Sequence, residues 1–278
     1  MIKKILVPTD FSEQAENALR VAADIARKHG SEINLLHMLE LPMLLVDGAT
    51  GGSKSDLPEA IFFMKLAHQK FEKMMNAPFL EGIEVHETAE FDGAFEGIMD
   101  YTEKYQADLI VMGSQGATGL QELLIGSNTE KVVRNSKVPV LVIKRRHEAF
   151  TVKKFVYATN FKEENHNAFK QAFKFAKNND VKLHMLYVNT PNNFRTTHEI
   201  EARMKAFMDK EPECTDYKLN IYNDESVEKG ILHFADSVGS KLVGIGTHGR
   251  SGLAHFLNGS LSEGLVNHAQ RPVITFKI

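Results

Sequence analysis

Short apolar runs alternate with amphipathic segments along the chain. The apolar runs predict strands, and segments in which apolar residues recur at helical spacing predict helices. Ser12 is a favourable N-cap for the first helix, and Gly30 is placed to end it. Runs that are apolar throughout are typical of a parallel sheet covered on both faces. In the first half the predicted strands are Lys3–Pro8, Ile33–Met38, Glu84–Ala89, Leu109–Gly113 and Val138–Lys144, and the predicted helices are Ser12–Lys28, Pro58–Asn76, Ala94–Tyr105 and Ser127–Asn135.

The second half repeats this pattern. Residues 2–19, IKKILVPTDFSEQAENAL, align with residues 152–169, VKKFVYATNFKEENHNAF. The offset falls from 150 to 133 residues farther on, because the second half lacks a counterpart of Leu41–Leu57. A repeat of this length predicts a duplicated domain, with domains at 1–146 and 151–278. The strands predicted in the second half are Lys154–Ala158, Lys182–Val188, Lys218–Tyr222, Leu242–Gly246 and Val273–Lys277.

Each half carries one glycine motif of the form G-x2-G-x9-G-[ST]. It reads GSQGATGLQELLIGS at 113–127 and GTHGRSGLAHFLNGS at 246–260, each time between a predicted strand and a predicted helix. Glycines let backbone N–H groups approach an anion, and the start of the following helix adds its positive dipole end. The chain has no Walker A sequence, and at the first strand, where a G-x-G-x-x-G dinucleotide fingerprint would lie, it reads VPTDF instead. The motif therefore predicts a phosphate site of another kind, at the carboxyl end of a strand.

Together with VPTDFSE at residues 7–13, the glycine motifs resemble the universal stress protein family. The two copies make the chain similar to a tandem member of that family. The resemblance implies an α/β fold of two Rossmann-like domains, each a five-stranded parallel sheet in the order 3-2-1-4-5 flanked by helices. It also implies an intrachain pseudo-dimer in which the last strands, Val138–Lys144 and Val273–Lys277, pair antiparallel.

The resemblance further implies adenine-nucleotide binding, since an ATP-binding subgroup carries this glycine motif. In that subgroup the residue matching Asp10 contacts the adenosine end, the backbone near Met38 contacts adenine, and the glycine loop with the hydroxyl matching Ser127 holds the phosphates. The resulting first site is Pro8, Thr9, Asp10, Met38, Gly113, Ser114, Gly116, Gly126, Ser127 and Asn128. The second site is Ala158, Thr159, Asn160, Val188, Gly246, Thr247, Gly249, Gly259, Ser260 and Leu261.

The second site departs from the first where it faces the nucleoside. Asn160 replaces Asp10 and Ala158 replaces Pro8, although the glycine frame is retained. An amide can still contact a nucleotide, but charge-assisted hydrogen bonding is lost. We therefore expect the second site to be the weaker one.

Composition and charge argue against nucleic-acid binding, membrane insertion and metal binding. The first 150 residues hold 16 Lys and Arg against 22 Asp and Glu, a net charge of −6, and the remainder has a net charge of +3. Neither half is basic enough for a general nucleic-acid binder. No apolar stretch is long enough to span a bilayer, and no cleavable signal is found, so a cytoplasmic protein is expected. One cysteine and histidines without metal-binding spacing predict no metal site.

The function expected from the sequence is that of an ATP-binding stress-response protein, in which nucleotide occupancy is a structural or regulatory state. No catalytic residue is predicted, because the chain offers no P-loop lysine. Two alternatives stay open: a slow ATP hydrolase or phosphotransferase with Mg²⁺ bridging the phosphates, and an interaction protein that binds no nucleotide. A homodimer of the whole chain is a further option.

Overall fold

The computed structural model describes residues 1–39, 56–114, 126–247 and 261–278. The first half contains β1 (Lys4–Pro8), α1 (Glu13–His29), β2 (Glu32–Leu39), α2 (Asp56–Met75), β3 (Val85–Phe91), α3 (Ala94–Tyr105), β4 (Leu109–Gly113), α4 (Ser127–Asn135) and β5 (Val140–Ile143). The second half contains β6 (Lys154–Ala158), α5 (His166–Asn178), β7 (Lys182–Asn189), α6 (Thr197–Met208), β8 (Tyr217–Asn223), α7 (Val227–Ser237), β9 (Leu242–Thr247), α8 (Leu261–His268) and β10 (Val273–Lys277).

The ten strands form one sheet in the order β3-β2-β1-β4-β5-β10-β9-β6-β7-β8. Every pairing is parallel except the central one, where β5 runs antiparallel to β10 with Leu141 opposite Ile274. The predicted order 3-2-1-4-5 and the predicted antiparallel contact between the last strands are both confirmed. The two halves therefore form an intrachain pseudo-dimer around an approximate twofold axis between β5 and β10.

Helices cover both faces of the sheet, as the apolar strand pattern predicts. In β1, Ile5 and Val7 pack into the core beneath α1 and α2, whereas Leu6 packs into the core beneath α3 and α4. This alternation follows from the two-residue period of a strand, and both sides are buried because both faces are covered. No helix in the described part of the chain combines the length and apolarity needed to cross a membrane.

Local signals explain the limits of α1. The Ser12 hydroxyl accepts a hydrogen bond from Ala15 N, which satisfies one free N–H group at the start of the helix. Gly30 ends the helix in the left-handed conformation, with φ of 65°, and its N–H donates to the carbonyl of Ala26. Both features agree with the prediction from the sequence.

Two lysines, one in each half, form hydrogen bonds to the opposite half. The Lys144 ammonium, at the end of β5, donates to the carbonyl of Asn267 in α8 of the other half. The Lys277 ammonium, at the end of β10, donates to the carbonyl of Arg134 in α4 of the first half at 3.2 Å. Each lysine thus binds carbonyls in the last turn of a helix in the opposite half, where the helix dipole favours a cation.

Candidate functional site

The β1–α1 loop is shaped by its own side chains. Thr9 Oγ1 accepts a hydrogen bond from Phe11 N at 3.0 Å, and an Asp10 carboxylate oxygen accepts one from Ser12 N at 3.0 Å. Phe11 is held in the left-handed region with φ of 63°, a conformation that costs free energy in a residue with a bulky side chain. The Asp10 carboxylate is therefore held in a fixed orientation at the carboxyl end of β1.

His37 supports this loop from β2, and the sequence analysis did not select it. Its Nδ1 lies 2.8 Å from the carbonyl of Thr9, and a carbonyl only accepts, so Nδ1 carries the proton. Burial lowers the pKa of His37, with Lys70 acting in the same direction, so the ring favours its neutral form. The ring packs against Phe11 with a centroid separation of 4.5 Å. The sequence signal that could have indicated His37 is its position as a lone polar residue in the apolar run LLHML.

Met38 lies next to His37, near the end of β2. Its side chain occupies the space in front of Gly97 in α3, where an added Cβ would lie 2.5 Å from the Met38 sulfur. The second half repeats the arrangement with Val188 in front of Gly230, at 2.4 Å from a valine methyl carbon. A glycine in the facing helix therefore makes room for the residue predicted to adjoin adenine.

Gly113 ends β4 directly behind the start of α1. An added Cβ would lie 2.9 Å from the backbone carbonyl carbon and oxygen of Gln14, so a side chain cannot enter without moving α1. The next residue, Ser114, is buried, and its N–H donates to the Ile143 carbonyl at 3.0 Å. Gly113 is thus required for a close approach of helix and strand, whatever it contributes to a ligand.

The start of α4 faces the same end of the sheet. Gly126 is the N-cap and its N–H donates to the carbonyl of Ser114 at 2.7 Å, while Thr129 Oγ1 donates to the carbonyl of Gly113 at 2.9 Å. These bonds fix the helix start to the end of β4. No side chain caps α4 within the described residues, unlike α1, which Ser12 caps. Ser127 and Asn128 form the first turn, where backbone N–H groups have no partner in the helix.

The loop between β6 and α5 in the second half repeats the β1–α1 loop, but the amide of Asn160 replaces the carboxylate of Asp10. Thr159 Oγ1 accepts from Phe161 N at 3.3 Å, and Phe161 has a φ of 53°. Asn160 Oδ1 accepts from Lys162 N at 2.9 Å and also from Asn165 Nδ2 at 2.9 Å. The backbone donor fixes which amide atom is oxygen. Because both lone pairs of that oxygen are engaged, Asn160 offers a ligand only its amide donors.

In the second half, residues 190–196 form a short connection between β7 and α6. Asn189 is buried, accepts from Arg195 N at 3.0 Å and donates to the Arg195 carbonyl at 3.1 Å and to Asn223 Oδ1 at 3.0 Å. These bonds hold residues 190–196 against the carboxyl ends of β7 and β8. In the first half the position aligned with Asn189 is Leu39, which cannot form such bonds.

Several predicted site residues lie outside the described residues. These are Gly116 of the first site and Gly249, Gly259 and Ser260 of the second. The structure brings together the ends of β1, β2 and β4 and the start of α4, which contain Pro8, Thr9, Asp10, Met38, Gly113, Ser114, Gly126, Ser127 and Asn128. In the second half Ala158, Thr159, Asn160, Val188, Gly246 and Thr247 lie at the equivalent strand ends, and Leu261 begins α8.

One group of possible metal ligands lies elsewhere. Glu32, Glu84 and His86 each place a ligand atom within 4.8 Å of the others, but they lie at the amino-terminal ends of β2 and β3. That edge is opposite the predicted nucleotide site. The Lys4 ammonium lies 3.7 Å from Glu32 and would oppose a cation there. The group therefore belongs to neither predicted site.

Comparison with known proteins agrees with this architecture. Universal stress protein MJ0531 of Methanocaldococcus jannaschii is 32% identical over 152 residues, covering 52% of this chain and 84% of that protein. Universal stress protein Slr1230 of Synechocystis sp. is 23% identical over 297 residues, covering 99% of this chain and all of that protein. The crystal structure of a universal stress protein from Archaeoglobus fulgidus aligns over 99% of this chain and 98% of that chain, with a TM-score of 0.72 and 22% identity.

A family model addresses the two halves separately. The model described as the universal stress protein family matches residues 1–144 and again residues 151–277. The two matches fall on the two five-stranded units that meet at β5 and β10. The chain therefore belongs to the universal stress protein family, as a tandem member with two family domains.

Proposed function

We propose that the first half binds ATP at the carboxyl ends of β1, β2 and β4, and that occupancy serves as a structural or regulatory state. The observation that carries the proposal is the start of α4. Its glycine N-cap leaves the first N–H groups without a side-chain acceptor among the described residues, and the Asp10 carboxylate is held in place just after β1, the strand that pairs with β4. Such a helix start attracts phosphate.

The two ends of the proposed site suit different parts of one ligand. The Asp10 carboxylate accepts hydrogen bonds from ribose hydroxyls and repels phosphate, whereas the N–H groups of Ser127 and Asn128 attract phosphate. The nucleoside therefore lies toward β1 and β2, and the phosphates lie toward α4. The family resemblance supports the same polarity, since it assigns adenine to the backbone near Met38. Mg²⁺ would accompany the phosphates as their counterion.

The second site is proposed to be weaker for a reason beyond charge. Asn160 has lost the carboxylate, and its oxygen is already engaged by Lys162 and Asn165. The position aligned with Asn165 in the first half is Ala15, which has no side-chain donor. Ribose hydroxyls therefore meet an acceptor in the first half and donors only in the second. Loss of one charge-assisted hydrogen bond costs about 1.5–3 kcal/mol, or roughly 10- to 150-fold in affinity.

Calorimetric titration of the purified full chain with ATP, with and without Mg²⁺, tests the proposal. We expect one tighter and one weaker site, with Asp10→Asn weakening the tighter site by roughly 10- to 150-fold. Asn160→Ala is the matched control in the other half and should change the tighter site little. If the Asp10→Asn variant binds ATP with unchanged affinity, the Asp10 carboxylate does not contact the nucleotide.

Two further measurements on the same samples separate the alternative functions. Nucleotide released on denaturing the purified protein supports stable occupancy, whereas absence of binding at any ATP concentration favours an interaction protein. A steady-state ATPase assay distinguishes a regulatory nucleotide from a substrate. Rapid turnover that Asp10→Asn abolishes would replace the regulatory proposal with a hydrolase.

A further inference from the structure

Helix α2 is longer than its counterpart in the second half. It has 20 residues, whereas α6 has 12. The two helices end at equivalent residues, Met75 and Met208, so the additional turns of α2 are at its amino-terminal end. These turns follow the segment that the second half lacks. The additional helical surface is therefore a property of the first half alone.

Exposed apolar side chains lie in these additional turns and in the turn that follows them. Phe62 is 62% exposed and Leu66 38% exposed, although α2 buries Ala67 and Phe71 on its inner side. The second-half positions aligned with Phe62 and Leu66 hold polar residues: Arg195, which precedes α6, and Glu199, in its first turn. Large apolar side chains grouped on a water-facing helix surface mark an interaction site more often than isolated ones do.

Charged residues of opposite sign flank the apolar pair on the same side of α2. Glu59, Phe62, Leu66 and Lys73 are spaced so that they fall within an arc of about 60° on the helix surface. Glu59 and Lys73 are both exposed, and neither forms an ion pair with another of the described residues. They lie 14 residues apart, which corresponds to about 21 Å along the helix.

Leu66 lies midway between these two charges. If the helix is rotated by 180° about an axis through Leu66, Glu59 falls opposite Lys73 of the rotated copy, and Lys73 falls opposite Glu59. The same rotation places the Phe62 rings on either side of the two Leu66 side chains. The surface is therefore complementary to itself, as the isologous interface of a twofold dimer requires.

We propose that this surface of α2, formed by Glu59, Phe62, Leu66 and Lys73, binds a second copy of this chain with the two helices antiparallel. Burial of Phe62 and Leu66 supplies most of the affinity, and the two Glu59–Lys73 pairs fix the direction and register of the helices. A lipid surface fits the pattern less well, because anionic headgroups favour basic residues around the apolar ones and Glu59 opposes them. The four residues of the proposed contact belong neither to the proposed nucleotide site nor to the β5–β10 contact.

Sedimentation of the full chain over a wide concentration range tests the proposal. We expect a monomer–dimer equilibrium, and Phe62→Glu should raise its dissociation constant by roughly tenfold to a hundredfold or more, because two rings are lost from the centre. Phe194→Glu is the matched control: Phe194 is 70% exposed in the second half, away from α2, and its replacement should leave the equilibrium unchanged. Circular dichroism melting confirms that each variant is folded.

Charge exchange tests the register. Glu59→Lys alone and Lys73→Glu alone each place like charges opposite one another in a homodimer, and each should weaken it. An equimolar mixture of these two variants restores both opposite-charge pairs in the heterodimer and should recover dimer formation. A chain that stays monomeric at all concentrations, a Phe62→Glu variant that dimerises normally, or a mixture that fails to recover would overturn the proposal. A monomer that sediments with anionic vesicles would assign the surface to lipid instead.

Discussion

The duplicated motif allows one substitution to be compared in two different surroundings. Gly113 and Gly246 are the first glycines of the two motifs; Gly113 is the last residue of β4, and Gly246 is the next-to-last residue of β9. At Gly113 an added Cβ would lie 2.9 Å from the backbone carbonyl group of Gln14. At Gly246 it would lie 2.8 Å from the side chain of Ile278 and 3.3 Å from the Cβ of Ala168. Backbone within a helix cannot move aside by itself, whereas the Ile278 side chain can change its rotamer.

These contacts give an expected order of free energies. Overpacking against an immobile neighbour costs about 1–3 kcal/mol. Replacing glycine by alanine also restricts the unfolded chain, which stabilises the fold by about 0.4–1 kcal/mol. Gly113→Ala should therefore destabilise the protein by about 1–2 kcal/mol, because α1 has to shift. Gly246→Ala should lie within about 1 kcal/mol of the unchanged protein, because the Ile278 side chain yields.

Urea unfolding followed by far-ultraviolet circular dichroism measures both variants. The slope of each transition has to be compared as well as the midpoint, since the two halves share one sheet and need not unfold in a single step. Equal losses in the two variants would mean that Gly113 is not held by its contact with α1. A larger loss of unfolding free energy for Gly246→Ala than for Gly113→Ala would contradict the expected order.

Three other predictions follow from particular contacts. Lys144→Met and Lys277→Met each remove a cation from the end of a helix in the opposite half, and each should lower the free energy of unfolding by about 1–2 kcal/mol in chemical denaturation. Burial, reinforced by neighbouring lysines, lowers the pKa of His184 from 6.5 in the folded chain. As the pH falls below 6.5, His184 is therefore protonated in the unfolded chain before it is protonated in the folded chain. Stability should be complete above pH 6.5 and fall as the pH drops toward the lowered value, and His184→Asn should flatten this loss in pH-dependent melting. If the second half binds ATP as proposed, Asn165→Ala should tighten that site in calorimetry, because it releases one acceptor position on Asn160; an unchanged affinity would mean that Asn165 does not limit binding.

The architecture could be predicted because its signals are local and occur twice. The glycine that ends α1 and the serine that begins it determine helix limits through neighbouring atoms alone. The antiparallel contact of β5 with β10 follows because each is an apolar strand at the edge of its own half, and a twofold contact covers both edges at once. The predicted strand Val138–Lys144 is longer than the observed Val140–Ile143, and the side chain of Lys144, just past its end, reaches the other half.

Features that depend on distant contacts could not be predicted in the same way. The capture of Asn160 Oδ1 by Asn165 depends on where α5 begins, and periodicity does not resolve that position. The support that His37 gives to Thr9 depends on the register between β1 and β2. The sequence motif suggested phosphate contact for Gly113, but only the packed structure reveals that α1 excludes any side chain there. Motif residues can thus have a packing role that the motif itself does not state.

The pseudo-dimer gives the second half a role that does not depend on its ligand. β10 pairs with β9 on one side and with β5 on the other, so it completes the sheet for both halves. Without it, the backbone N–H and C=O groups along that edge of β5 would be open to pairing with other chains. The fold of the second half is therefore required even where Asn160 has replaced a carboxylate. A duplicated domain can in this way stabilise its partner through the shared sheet, whatever its own site binds.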